Sequence, residues 1–318
     1  IEYANGDARR TVWGRKRAEA GHPKPFNLKY IGIGNEDMIT EVFEERFAMI
    51  YKAVREKHPE ITVVGTVGPF YEGTDYAEGW RLATEMGVPM VDEHYYVDPG
   101  WMIHNQDYYD RYDRTKSKVY LGEYAAHLPG RPNNIETALA EALYLTSVER
   151  NADVVRLATY APLFAHVDAW QWNPDLIWFD NLRMMRTPNY YVQQMYGMNA
   201  GTDVLNLQMD GKPVTGQDSL YASAVLDAPT GEVILKLVNA GSRSEKVQIE
   251  FSGLKKRQLV SGSCTYLQSD DWKAKNTLEQ EAIVPRIRPV EVASRSLSLE
   301  LQPRSFGVYR LRISTQSK

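Results

Sequence analysis

Two glutamates have the surroundings that acid-base chemistry needs. Glu36 closes the run "KYIGIGNE" within Lys29–Met38, and Glu123 follows "KVYLG" within Lys118–His127. Each comes after a short stretch of Val, Ile, Leu and Tyr, residues that favour pleated backbone; Gly34 breaks the first stretch ahead of Asn35 and Glu36, and the second ends in Glu123. In a parallel sheet every strand points the same way, so side chains presented at two strand ends emerge on one rim, where α/β enzymes keep their active sites. Three βα units separate the two glutamates, which in an eight-stranded ring places them nearly opposite across the mouth. Paired carboxylates are what glycosidic bond cleavage requires, one acting as acid and base and the other as nucleophile or base. Two unrelated polar strand ends is the competing reading, because Asn and Glu are ordinary turn residues.

Between them, "VDEHYYVDPGW" carries His94 and Tyr96, two residues apart and hence on one face of a strand. A tyrosine hydroxyl can orient a nucleophilic carboxylate and an imidazole can bind sugar hydroxyls, although both residue types also serve structural roles near strand ends. Further on, "DAWQWNPDLIWFDN" (Asp168–Asn181) sets indoles beside Asn and Gln. Such a surface suits sugar rings, which have an apolar face and hydroxyl edges; tryptophans also fill seams between domains.

The elements that must position these groups alternate. Strands are expected at Leu28–Ile33, Ile61–Thr66, Met90–Tyr96, Lys118–Glu123 and Val154–Tyr160. Between the first two, Phe43, Phe47, Ile50 and Val54 recur at helical spacing and predict one buried face. Asp75 with Glu78 is expected to open a second helix that Gly87 closes, and Asn133 with Glu136 a third running to about Arg150. This is the pattern of consecutive βα units. It has the strand density of a (β/α)8 barrel with three units missing. The competing architecture is an open doubly wound sheet, but no Gly-Xaa-Gly-Xaa-Xaa-Gly or Walker-type loop follows any strand. After Thr202, "GEVILKLVNAG", "KVQIEF", "SLSLELQ" and "YRLRI" alternate apolar and polar residues between Pro, Gly and Asp turns. Leu297, Leu299 and Leu301 share a face, as do Tyr309, Leu311 and Ile313, so a β-sandwich packed closely against the first domain is expected.

Composition excludes several classes. Among 318 residues, 37 Lys and Arg against 41 Asp and Glu give a net charge of −4, which offers no broad basic surface for nucleic acid. No apolar run approaches the ~20 residues of a membrane-spanning helix. The single cysteine, Cys264, forbids an internal disulfide, a thiolate metal cage or a Cys-Xaa-Xaa-Cys pair. The six histidines are scattered, none paired at helical ligand spacing, so no metal site is expected. The opening "IEYANGDARR" reads as the tail of a helix closed by Asn5-Gly6, and upstream sequence is expected to be missing.

"GHPKPFNLKYIGIGNED" together with "YLGEYA", "TYAPLF" and "WNPDLIWFDN" resembles glycoside hydrolase family 51, the α-L-arabinofuranosidases, and the likeness runs through nearly the whole chain. The resemblance implies an α/β plus all-β fold: residues 1–200 as strands four to eight of a (β/α)8 catalytic barrel, and residues 201–318 as a C-terminal β-sandwich. It implies that Glu36 is the general acid/base, with Asn35 binding the sugar 2-hydroxyl, and that Glu123 is the nucleophile of a retaining mechanism. His94 and Tyr96 match a substrate-binding pair at the sixth strand, and Trp172 and Asn173 align loosely with the segment after strand eight. The implied substrates are arabinan- or arabinoxylan-type glycans, with no cofactor. Strands one to three have no counterpart. A partner fragment or a second copy is therefore expected to cover the open sheet edges, and the chain by itself is expected to be nearly inactive. An inert carbohydrate-binding or scaffolding fragment, and a related barrel xylanase or β-glycosidase, are the alternatives.

Overall fold

A computed structural model describes residues 1–315. The chain divides into two compact units, one built from Ile1–Tyr95, Asp113–Gly122 and Arg156–Ala158, the other from Tyr96–Tyr112, Glu123–Val155 and Thr159–Lys318.

The first unit begins with helices α1 (Glu2–Asn5) and α2 (Val12–Glu19). Gly6 ends α1 in extended rather than left-handed backbone, so the expected Asn-Gly cap is not of the left-handed kind. Arg17 is fully buried here and donates to the carbonyls of Tyr3, Ala4, His22 and Pro23, which ties the two short helices to the following loop. Then come β1 (Tyr30–Ile33), α3 (Glu41–Lys57), β2 (Thr62–Thr66), α4 (Thr74–Met86) and most of β3 (Met90–Val97), followed later by the first half of β4 (Lys118–Ala126) and most of β5 (Val155–Ala158), the remaining residues of these strands being counted with the second unit. The sheet order is β1-β2-β3-β4-β5, and β1, β2 and β3 pair in parallel. All five expected strands are present, each shifted by a few residues at its ends.

Helix packing departs from expectation in detail. The inner stripe of α3 runs through Phe43, Phe47 and Tyr51, stacked at 5.8 and 6.0 Å, and Tyr51 donates to the Gly87 carbonyl. Ile50 is 44% exposed instead of buried, because successive i, i+4 steps carry the stripe through Tyr51. Helix α4 is capped by Gly73 and ends at left-handed Gly87, as expected for its C-terminus, but the Asp75 carboxylate accepts from the Ile39 N–H rather than capping its own helix.

The second unit holds α5 (Pro99–His104), α6 (Ile135–Arg150) and α7 (Pro188–Gly197). The cap of α6 is Asn134, one residue later than expected, in a reciprocal box with Thr137. Every α6 residue from Ile135 to Val148 is buried except Glu136. A small sheet of β6 (Phe164–His166), β7 (Ile177–Phe179) and β8 (Met184–Arg186) precedes α7.

The all-β part follows: β9 (Asp203–Val204), β10 (Gln208–Met209), β11 (Lys212–Pro213), β12 (Leu220–Asp227), β13 (Glu232–Asn239), β14 (Glu245–Glu250), β15 (Arg257–Gln268), β16 (Arg286–Val290), β17 (Ser296–Leu301) and β18 (Ser305–Thr315). A six-stranded sheet, β16-β15-β18-β13-β12-β9, faces the β14-β17 pair across a common core. Leu297, Leu301, Tyr309 and Leu311 are buried in that core, with Leu299 and Ile313 at its margin, as the alternation predicts. Lys236, in the middle of β13, is fully buried and pairs with Glu149 of α6, whose other oxygen accepts from Ser223. A buried pair of this kind contributes orientation more than stability. It fixes which face of the sheet α6 covers.

Candidate active site

In the first unit the site is built at the end of β1. Gly34 takes a φ of +89°, and a Cβ there would lie 2.6 Å from Asp37 Oδ2 and 2.7 Å from Thr66 Cγ2. Both the turn and the close packing therefore demand glycine. Asp37 then accepts from the Asn35 N–H at 2.7 Å. Glu36 itself has left-handed backbone, φ +55°, which costs on the order of 1–3 kcal/mol for a non-glycine residue and is typical of functional positions. Its Oε1 lies 2.9 Å from Nδ1 of His94. His94 is 2% exposed, and its Nε2 faces Asp92 Oδ2 at 3.2 Å. Asp92 lies so close over Gly122 that a Cβ there would meet Oδ1 at 2.0 Å. The result is a chain of Asp92, His94 and Glu36 in which the imidazole has a carboxylate at each nitrogen. A protonated Glu36 can donate to Nδ1 while Nε2–H donates to Asp92. Glu36 remains 35% exposed, open to solvent.

In the second unit, Tyr96 donates to Glu123 Oε2 at 2.6 Å, the length of a charge-assisted bond. The Tyr96 ring stacks on His127 at 4.9 Å and 15°, and meets Trp172 at 5.1 Å. Burial, and secondarily Arg131, lower the His127 imidazole to about 4, so the ring is neutral at neutral pH; its buried Nε2 makes no hydrogen bond. Arg131 lies 4.5 Å over the Trp172 ring and donates to the Asn173 carbonyl. Burial pushes Asp175, two residues on, up to about 6. The Glu123 carboxyl is thus held by a phenol beside an indole that is 36% exposed, a surface fit for a sugar ring.

The model of the α-L-arabinofuranosidase C-terminal domain matches residues 105–305, and that of the α-L-arabinofuranosidase 1 domain matches residues 1–114. The chain belongs to glycoside hydrolase family 51, the α-L-arabinofuranosidases. It is 39% identical over 287 residues to an extracellular exo-α-L-arabinofuranosidase of Streptomyces chartreusis, covering 88% of this chain and 34% of that protein. It is 32% identical over 323 residues to α-L-arabinofuranosidase 1 of Arabidopsis thaliana, covering 98% and 44%. Among solved structures, an arabinose-bound family 51 α-L-arabinofuranosidase superposes with a TM-score of 0.86 at 25% identity, over 99% of this chain and 50% of that one. The arabinose complex of the Thermotoga maritima α-L-arabinofuranosidase superposes at 0.70 and 19% identity over 97% and 71%, a likeness of fold. The chain thus spans a third to under half the length of these two curated relatives. Family 51 neighbours imply a (β/α)8 barrel with a C-terminal β domain, and the α/β and all-β sheets described above agree with that.

Of the residues singled out from sequence, Glu36 and His94 meet in the first unit, and Tyr96, Glu123 and Trp172 meet in the second. His94 Nδ1 lies beside Glu36, and the Tyr96 hydroxyl donates to Glu123. Asn35 and Asn173 take part through their backbones, Asn35 by its N–H and Asn173 by its carbonyl. Glu123 does not end its strand, since β4 continues to Ala126. Sequence reasoning missed Asp92, His127 and Arg131. The first was within reach, because Asp92, His94 and Tyr96 alternate along β3; the other two follow Glu123 in a turn whose course nothing local reveals.

Proposed function

We propose that this chain carries the catalytic pair of a retaining exo-acting α-L-arabinofuranosidase that releases terminal arabinofuranosyl residues from arabinan- or arabinoxylan-type glycans. Residues 1–200 then supply strands four to eight of the barrel, and residues 201–318 its β-sandwich. The observation that carries the reading is the short Tyr96–Glu123 bond in a chain of family 51, because a nucleophilic carboxylate must stay ionised and aligned. Glu36 protonates the departing oxygen while Glu123 attacks the anomeric carbon. Glu36 then takes a proton from the water that hydrolyses the glycosyl-enzyme. His94 orients Glu36 and, with Asp92 behind it, gives that proton a hydrogen-bonded partner in either state. Asn35, Trp172 and Asn173 line the sugar. A retaining mechanism needs the two carboxyl groups ~5–5.5 Å apart.

The test is product analysis with the complete protein on arabinoxylan and on an aryl α-L-arabinofuranoside. Arabinose released with first-formed α configuration supports the reading. Xylose or xylo-oligosaccharides would make it a xylanase, β-configured arabinose an inverting enzyme, and binding without turnover a carbohydrate-binding protein.

A further inference from the structure

Ala126 lies three residues beyond Glu123 on β4, and its backbone N–H donates to Glu141 Oε1 at 3.0 Å. Glu141 projects from α6 and has no exposed surface. Burial pushes its carboxyl up to about 8, against the opposing pull of the Ala126 N–H and the amides of Asn189 and Gln193, so it is a neutral acid at neutral pH. Tyr124, directly after Glu123, is also fully buried and donates to Gln193 Oε1 of α7 at 2.7 Å. The strand on the far side of Glu123 is therefore tied twice, to α6 through Glu141 and to α7 through Gln193. A carboxyl group in such a place is expensive, since an aliphatic side chain would fill the helix interface without a desolvation penalty. What an aliphatic residue lacks is an acceptor for the Ala126 N–H.

We propose that Glu141 is a positioning residue for Glu123: its buried carboxyl holds the end of β4 so that the Glu123 carboxylate meets the Tyr96 hydroxyl. The proposal rests on the reading of Glu123 as nucleophile. Losing the acceptor frees the strand end by a fraction of an ångström to an ångström, and displacement on that scale costs on the order of 10²-fold in rate.

Glu141→Leu and Glu141→Gln in the complete protein separate this from a packing role. Kinetics use an aryl arabinofuranoside, with active sites counted by a mechanism-based covalent inhibitor of arabinofuranose configuration, and each variant is also crystallised. Glu141→Leu is expected to lose roughly 10²-fold in kcat per titrated site with KM within about three-fold, and to lengthen the Tyr96–Glu123 contact beyond hydrogen-bond distance. Glu141→Gln, which keeps the acceptor, restores most of kcat and the contact. Fewer titratable sites or a lower Tm, with wild-type turnover at each remaining site, would overturn the proposal. Replacing Ala126 by lactic acid, which removes the N–H and leaves Glu141 in place, must reproduce the kcat loss even where Glu141→Leu fails to fold; unchanged kcat there also overturns it. If the unaltered protein hydrolyses no arabinofuranoside, the functional reading falls, and the Tyr96–Glu123 distance in either variant still decides: retained at hydrogen-bond length it refutes the positioning role, lost it supports that role.

Discussion

Glu36 stands beyond the end of a four-residue strand, on left-handed backbone, with its side chain a third exposed and a histidine–aspartate chain behind it. Glu123 sits inside a nine-residue strand and accepts a short bond from Tyr96, with buried tyrosine and alanine neighbours anchored into two helices. The contrast fits the roles proposed above, Glu36 as acid/base and Glu123 as nucleophile. An acid/base must gain and lose a proton within one catalytic cycle, which calls for solvent access and a partner able to accept or donate. A nucleophile must stay ionised and keep its aim, which calls for a fixed donor and a backbone that does not move. Local strain is tolerable at the first position and misplacement is intolerable at the second.

Deleting each carboxylate is the most severe way to break the comparison. Glu123→Ala in the complete protein is expected to lower turnover by about 10⁴-fold or more, as loss of a nucleophile does, and added azide should recover part of it as a β-arabinosyl azide product. Glu36→Ala is expected to lose on the order of 10²–10⁴-fold in kcat/KM on natural glycans yet little in kcat/KM on aryl glycosides whose leaving groups need no proton, while kcat on the latter falls because hydrolysis of the glycosyl-enzyme loses its base. Rates measured against leaving-group pKa, with and without azide, check both. If the two variants respond alike, the roles assigned to the two sites are wrong.

The supporting groups come next. Tyr96→Phe removes one charge-assisted hydrogen bond, worth about 1.5–3 kcal/mol, so kcat/KM should fall about 10- to 100-fold on every substrate, good leaving groups included. His94→Ala is expected to act through Glu36, whose Oε1 lies 2.9 Å from its Nδ1. Its loss should be about 10-fold on poor leaving groups and fade as the leaving group improves. A Brønsted plot for each variant distinguishes them: a parallel downward shift for Tyr96→Phe, a steeper slope for His94→Ala. Identical plots would dissolve the distinction between the two sites.

Much of this is legible in the sequence. Five strands and the main helices announced themselves through apolar period and Gly or Asn punctuation, and the two glutamates that close apolar runs stood out by type and place. What escaped were partners set by tertiary placement. Asp92 reads as one more acid in "VDEHYY" until the ring of His94 is seen between it and Glu36. His127 acquires meaning through its stack on Tyr96, and Glu141 looks like an exposed helix acid until α6 is found buried on nearly every side. Period-based reasoning places a helix's apolar stripe well when one face is wet. It is silent about a polar residue on a helix with no wet face, because burial all round leaves no stripe to interrupt.

The smallest effect on rate and the clearest on stability comes from Glu141→Gln. In the fold this carboxyl titrates near 8 instead of its ordinary 4.5, because burial disfavours the charged form. Below pH 4.5 folded and unfolded chains both hold the proton, and the stability it confers is fully present. Between about 4.5 and 8 the unfolded chain releases the proton while the folded one keeps it, so stability falls by about 1.4 kcal/mol per pH unit; above 8 the decline stops. Glutamine has no proton to lose. The stability difference between the unaltered protein and Glu141→Gln, measured by denaturant unfolding from pH 5 to pH 8.5, should therefore shift steadily in favour of glutamine, approaching but not exceeding something on the order of 5 kcal/mol. Taking the difference cancels the titration of Asp175 and His127, which both proteins share. A flat difference would mean Glu141 is ionised within the fold. The anchor behind Glu123 would then be a buried charge rather than a neutral acid, and the contrast between a proton-exchanging Glu36 site and a fixed Glu123 site would lose its physical basis.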